Sequence, residues 1–189
     1  MDIIKKLAQE LAIKEEQAKA AVQLIDEGNT IPFIARYRKE MTGALNDETL
    51  RNLHERLLYL RNLEEKKEQV INAITEQDKM TDELKKKILA AETLVAVDDL
   101  YRPYRPKKQT RATKAKEKGL EPLANILLLQ ATSKSMEEEA QSFVNEAKGV
   151  ANVKEALAGA KDIIAEMIAD KADYRKSIRN CTMKQGRLV

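Results

Sequence analysis

Residues 47–77 contain neither proline nor glycine, and Leu50, Leu53, Leu57, Leu60, Ile71 and Ile74 recur along them at helical spacing. Asn46 stands where an N-cap belongs. A helix over this run would be about 46 Å long at the usual rise per residue. A spherical protein of this chain length would be roughly 42 Å across. The run therefore predicts an all-α, elongated helical domain with a long central helix (about 47–77) and helical hairpins packed at its ends. The stripe lapses at Glu64-Glu65-Lys66-Lys67-Glu68-Gln69, a stretch expected to be wet all round and to act as a spacer between two packing sites. With no Trp and only two Phe, the chain also lacks the aromatic residues that sheets favour.

The flanking segments carry helical signals of their own. Ile3, Ile4, Leu7 and Leu11 share one face, as do Ala18, Ala21, Val22 and Ile25, and Gly28 supplies a stop. Thr30 or Asn29 can cap a short helix with Pro32 in its first turn. Thr81 caps a helix carrying Leu84, Ile88 and Leu89, and Ser135 with Glu138 forms a capping box. Val153, Ala156, Leu157, Ala160, Ile163, Ile164 and Met167 form an apolar face, on which Ala158-Gly159-Ala160 would admit a close neighbour. Asp173 is a candidate cap for a last helix with Tyr174, Ile178 and Cys181 on one side. The closing Gly186-Arg187-Leu188-Val189 looks like the opening of a further apolar segment, so a piece of a longer protein is expected.

Constellations for catalysis are scarce. His54 is the only histidine, with no Cys or His neighbour for a metal. Cys181 is the only cysteine, expected on an apolar face as an inert thiol in a reducing compartment. The six glycines are isolated, so no phosphate loop or dinucleotide fingerprint is present. Asp98-Asp99 is better explained by local capping than by metal binding. No enzyme, cofactor or metal site is expected. The absence of a long apolar run or a signal-peptide core at Met1-Asp2-Ile3-Ile4-Lys5-Lys6 favours a cytoplasmic protein with no membrane partner.

Charge is the informative feature. The net +3 conceals a segment, 102–118, with eight Lys or Arg and one Glu, hence +7; the rest carries 26 positive and 30 negative residues, hence −4. Such a strip on a weakly acidic body attracts polyanions. Arg102, Arg105, Lys107, Lys108, Arg111 and Lys114 are the candidate phosphate contacts, on a backbone that Pro103 and Pro106 should keep extended. Tyr101 and Tyr104 are candidates for stacking on unpaired bases; the plainer alternative is that they pin a connecting loop to the helices. In a second basic cluster, Arg36-Tyr37-Arg38-Lys39, Arg36 is expected to pair with an acidic neighbour, leaving Arg38 and Lys39 for outside contact. The opening hairpin has the outline of a helix-turn-helix, but its second helix would start with Glu15, Glu16 and Gln17, and two carboxylates repel phosphate.

Thr30-Ile31-Pro32-Phe33-Ile34-Ala35-Arg36-Tyr37-Arg38-Lys39-Glu40 resembles the TVPFIARYRKE signature of the Tex family of bacterial transcription accessory proteins. The resemblance continues through Thr42-Gly43, Glu55-Arg56-Leu57 and Tyr59-Leu60-Arg61, then Asp98-Asp99-Leu100-Tyr101, Pro103-Tyr104-Arg105-Pro106-Lys107 and Glu117-Lys118-Gly119-Leu120-Glu121-Pro122-Leu123-Ala124. It covers nearly the whole chain. It implies the family's N-terminal helical region over 1–189, with possible sub-lobes 1–101 and 119–189 joined by the basic segment 102–118. In the family this region precedes a YqgF-type RNase-H-like domain, helix-hairpin-helix elements and an S1 domain, none of them in this sequence. The resemblance implies nucleic acid, RNA or DNA, as the family's partner, an affinity attributed there largely to the S1 domain, with RNA polymerase or the ribosome as candidate protein partners. The alternative is a scaffold that docks that machinery or the other domains of its own chain. At Arg102 the family string carries an apolar residue, so this side of the strip is open to either packing or exposure.

Overall fold

In the computed structural model, which describes residues 2–106, 109–130 and 132–187, the described residues form eleven α-helices, two short 3-10 turns and no sheet. The chain divides into two compact units, Met1–Val97 and Asp98–Val189.

The first unit is built on α1 (Ile3–Glu10), α2 (Glu15–Asp26), α3 (Ile31–Tyr37), α4 (Asp47–Thr75) and α5 (Asp82–Ala90); the unit boundary falls inside α6 (Leu94–Tyr101). Asn46 caps α4 by accepting from the Thr49 N–H at 2.7 Å, and Thr81 caps α5 by accepting from Leu84. Gly28 takes the left-handed conformation that ends α2 (φ +85), and the Asn29 N–H then reaches back to the Leu24 carbonyl. The core joins Leu7, Ala18, Val22, Leu24 and Ile34 to Leu50, Leu53, Leu57 and Leu60 of α4. Arginines of α4 fasten the hairpin from outside. Arg61 makes a two-pronged pair with Asp26 at 2.8 Å for each bond, while Arg56 holds Glu10 and lies 4.7 Å over the Tyr59 ring.

The expected wet spacer on α4 is not there. Leu63, Lys67, Val70 and Ile74 continue the buried stripe, and Lys67 is only 2% exposed. Its aliphatic stem fills the apolar position while its ammonium reaches Glu64 at 2.8 Å and the Leu89 carbonyl at 2.9 Å. A lysine with both partners supplied can occupy a core position, which a hydrophobic pattern alone does not register.

The second unit contains a 3-10 turn at Arg102–Tyr104, α7 (Arg111–Glu117), α8 (Glu121–Leu129), α9 (Met136–Gln141), α10 (Val153–Ala169) and α11 (Ala172–Gln185). Its core is rich in alanine: Ala112, Ala115, Ala124, Ala140, Ala156 and Ala160 surround Leu120, Leu123, Val150 and Ile163. Small side chains let α7 approach α10 closely, and Gly159 is where they meet. A Cβ built there would lie 2.4 Å from Leu120 Cδ1 and 3.2 Å from Ala115 Cβ. The sequence-based expectation of an extended basic segment is thereby corrected. Thr110 caps α7 by accepting from the Thr113 N–H, and its buried residues are Ala112 and Ala115, the latter facing Gly159.

Two expected caps are also revised. The Ser135–Glu138 capping box is present, but Asp173 sits within the first turn of α11 rather than before it. Asp99 caps nothing. It lies inside α6, 6% exposed, and accepts from Arg175 Nε and from Arg179, each at 2.6 Å. Burial alone would push the Asp99 carboxyl up, but the two guanidinium groups hold it below the ordinary carboxylate range. No residue of α11 is buried, so this clasp is its main polar anchor. Cys181 is exposed rather than packed on an apolar face, because the face it shares with Tyr174 and Ile178 is itself uncovered.

Candidate nucleic-acid interface

Most of the described cations of the basic strip already face carboxylates. Arg102 Nε lies 3.0 Å from Asp170, Arg105 lies 3.0 Å from Asp98, and Arg111 lies 3.6 Å from Asp162. Lys116 faces Glu121 at 3.5 Å, and Lys118 donates to the Gly149 carbonyl at 2.7 Å. The cleft of about 470 Å³ beside them is lined by Arg102, Arg105 and Arg111 together with Asp162, Glu166 and Asp170. Three positive groups against three negative ones give little net field. Arg102 is thus exposed and paired rather than packed. Tyr101 and Tyr104 are half-buried, with the Arg105 guanidinium 5.5 Å over the Tyr101 ring, as in the loop-pinning alternative. Lys114 is exposed and has no ion pair among the described residues; Lys107 and Lys108 lie outside the described residues.

The other basic cluster is arranged differently. Helix α3 and the turn after it present Phe33, Arg36, Tyr37, Arg38 and Lys39, all exposed. Among the described residues, none of these three cations forms an ion pair with a carboxylate. Arg36 was expected to do so, but Asp47 is taken by Arg51 at 2.8 Å, and Glu27 accepts from the Gln23 amide. Phe33 and Tyr37, one helical turn apart, place their ring centroids 5.2 Å from each other at 46°. The Arg38 guanidinium stands 5.1 Å over the Phe33 ring. An open groove of about 570 Å³ is lined by Pro32, Phe33, Arg36, Tyr37, Lys39 and Asp47.

Behind this patch the backbone is tied down. Thr42 is fully buried, and its hydroxyl donates towards the Arg38 and Lys39 carbonyls at 3.3 Å. Gln17 of α2 caps its own helix by accepting from the Lys14 N–H, and donates to the Thr42 and Gly43 carbonyls at 3.3 and 2.9 Å. Gly43 has φ +60, and a Cβ there would lie 2.7 Å from the Gln17 amide nitrogen. The hairpin with a helix-turn-helix outline therefore uses Gln17 to hold the patch from behind. From sequence, Arg36 and Tyr37 fall in this cluster, but Arg36 is assigned to an internal ion pair and Phe33 and Tyr37 are given no contact role. The available signal was the aromatic pair at i, i+4 flanked by arginines.

His54 is half-buried beside an open groove formed with Ile25, Thr30 and Arg51. Among the described residues, no group of three or more potential metal ligands comes together, and no helix is long and apolar enough to cross a membrane.

Two family models match the chain: Tex-like protein N-terminal domain over residues 1–75 and Tex central region-like over residues 131–189. The chain belongs to the Tex family. It is 46% identical over 180 residues to the transcriptional accessory protein Tex of Neisseria gonorrhoeae, covering 95% of this chain and 23% of that one. It is 46% identical over 186 residues to protein tex of Bordetella pertussis, covering 98% and 23%. It is also 31% identical over 186 residues to human S1 RNA-binding domain-containing protein 1, covering 97% and 18%. The chain spans about a quarter of the length of the curated bacterial relatives it matches. Within this Tex region, the Phe33–Lys39 patch lies inside the first model's match, and segment 102–118 lies between the two.

Proposed function

We propose that this chain is a non-catalytic helical module of a transcription accessory protein and that it contacts nucleic acid, RNA or DNA, electrostatically. The observation that carries this reading is the exposed set Arg36, Arg38 and Lys39, which has no ion-pair partner among the described residues. Segment 102–118 is an auxiliary contact through Lys114, with Lys107 and Lys108, its arginines being engaged within the second unit. The names of the relatives, a transcriptional accessory protein and an S1 RNA-binding protein, agree with a polyanionic partner.

A second reading is an interaction scaffold that docks RNA polymerase, the ribosome or the further domains of a longer chain. It is favoured by the uncovered Tyr174, Ile178 and Met183 of α11.

Fluorescence anisotropy with labelled single-stranded RNA, single-stranded DNA and duplex DNA over a salt series separates the two. Engagement of three phosphates on a single strand gives a slope of log K against log salt of about −2. Binding that is absent or indifferent to salt would hand the function to the scaffold.

A further inference from the structure

We infer that the outer ring face of the Phe33–Tyr37 pair is a stacking platform for unpaired bases, so that the patch selects single strands over duplex. This rests on the nucleic-acid reading above and names the class of strand it takes.

Phosphate attraction alone does not distinguish strands in this way, because a duplex offers phosphates at higher density. The rings do. Tyr37 is 60% exposed and Phe33 36% exposed, on a short helix with Met41 also open at 53%. Neither ring is covered by the core, since α3 buries only Ile34. At 5.2 Å and 46° the two rings touch each other, which leaves no room for a base between them. The available faces are therefore the outer ones. Arg38 already lies over the Phe33 ring, which leaves Tyr37 as the ring presented to a base. Arg36 precedes Tyr37, Lys39 follows it two residues on, and both share its groove, placing positive charge where the sugar-phosphate chain of a stacked nucleotide would run. Bases in a duplex have their faces occupied by their neighbours, so only an unpaired base can use this ring. Tyrosine, arginine and methionine also favour protein interfaces. Arg36, Arg38 and Lys39, with no ion pair among the described residues, outnumber Glu40 and the Arg51-paired Asp47 beside them and tilt the patch towards a polyanion instead.

The test measures binding of a labelled oligothymidylate and of a duplex of equal length to the 189-residue chain, to Tyr37→Ala and to Tyr37→Phe. Tyr37 is exposed, so both variants should keep the wild-type circular dichroism spectrum, which is checked first. Tyr37→Ala is expected to weaken oligothymidylate binding roughly tenfold, with Tyr37→Phe within about twofold of wild type and duplex binding almost unchanged. Equal losses on single strand and duplex, or a wild type that prefers duplex, would overturn the stacking platform while leaving the electrostatic reading intact. No binding of either probe by the wild type would overturn both and assign the patch to a protein partner.

Discussion

Gly159→Val is expected to lower the thermal midpoint of the second unit by about 10–20 °C, which corresponds to a loss of about 2–3 kcal/mol in a unit of this size. The Cβ alone would come 2.4 Å from Leu120 Cδ1 and 3.2 Å from Ala115 Cβ, so these neighbours must shift to admit it. Leu120 is 1% exposed and cannot swing into solvent. Valine's better helix propensity returns only about half a kcal/mol. Thermal unfolding by circular dichroism, with amide exchange to assign the lost protection to α7 and α10, checks it. A midpoint within 2–3 °C of wild type (roughly half a kcal/mol by the same scaling) would mean that the close approach of these helices is not what holds the unit.

Asp99→Ala should release α11 from the second unit. The substitution leaves Arg175 and Arg179, neighbours at one helical turn, without the carboxylate they share. Breaking a buried pair costs several kcal/mol, but both arginines are about one-third exposed, so the expected loss is about 1–2 kcal/mol. With no buried residue of its own, α11 has little else to keep it docked. Amide exchange should therefore accelerate over residues 172–185 while α10 stays protected.

The same clasp sets an acid limit. Asp99 titrates lower when folded than when unfolded, so its contribution is complete above the unfolded carboxylate value near about 4. It is lost as pH falls through the folded value. Glu10 and Asp26 behave alike in the first unit, their carboxyls lowered by hydrogen bonds from Arg56 and Arg61. A pH series should show α11 protection flat above about pH 5 and falling below about pH 4. In Asp99→Ala this dependence should be absent.

The all-α class, most helix starts and the course of α4 were legible because they rest on local rules: Asn46, Thr81 and Ser135 cap where their chemistry says they should. What escaped was set by partners distant in sequence. Lys67 looks wet until Leu89 supplies a carbonyl 22 residues away. Helix α7 has too narrow an apolar face to be seen without Gly159 opposite it. Asp99 looks like a cap until Arg175 and Arg179 arrive from 76 and 80 residues on.

Which cations stand open to an outside partner was only partly legible. Basic composition pointed to polyanions, but charge counted along the chain does not show which cations are answered by carboxylates across the fold. In 102–118 the arginines are answered by Asp98, Asp162 and Asp170. Among the described residues the smaller cluster at 36–39 forms no ion pair, although Glu40 adjoins it; Asp47 is held by Arg51 and Glu27 accepts from Gln23.

The measurement that bears most directly on this account compares two triple variants against one oligonucleotide at low salt. Arg36→Ala/Arg38→Ala/Lys39→Ala should lose roughly a hundredfold in affinity at about 50 mM salt and most of the salt slope. Lys114→Ala/Lys116→Ala/Lys118→Ala should lose only severalfold, with the slope largely kept. The reverse order, with the second variant crippled and the first near wild type, would place the working field on α7 and contradict the account.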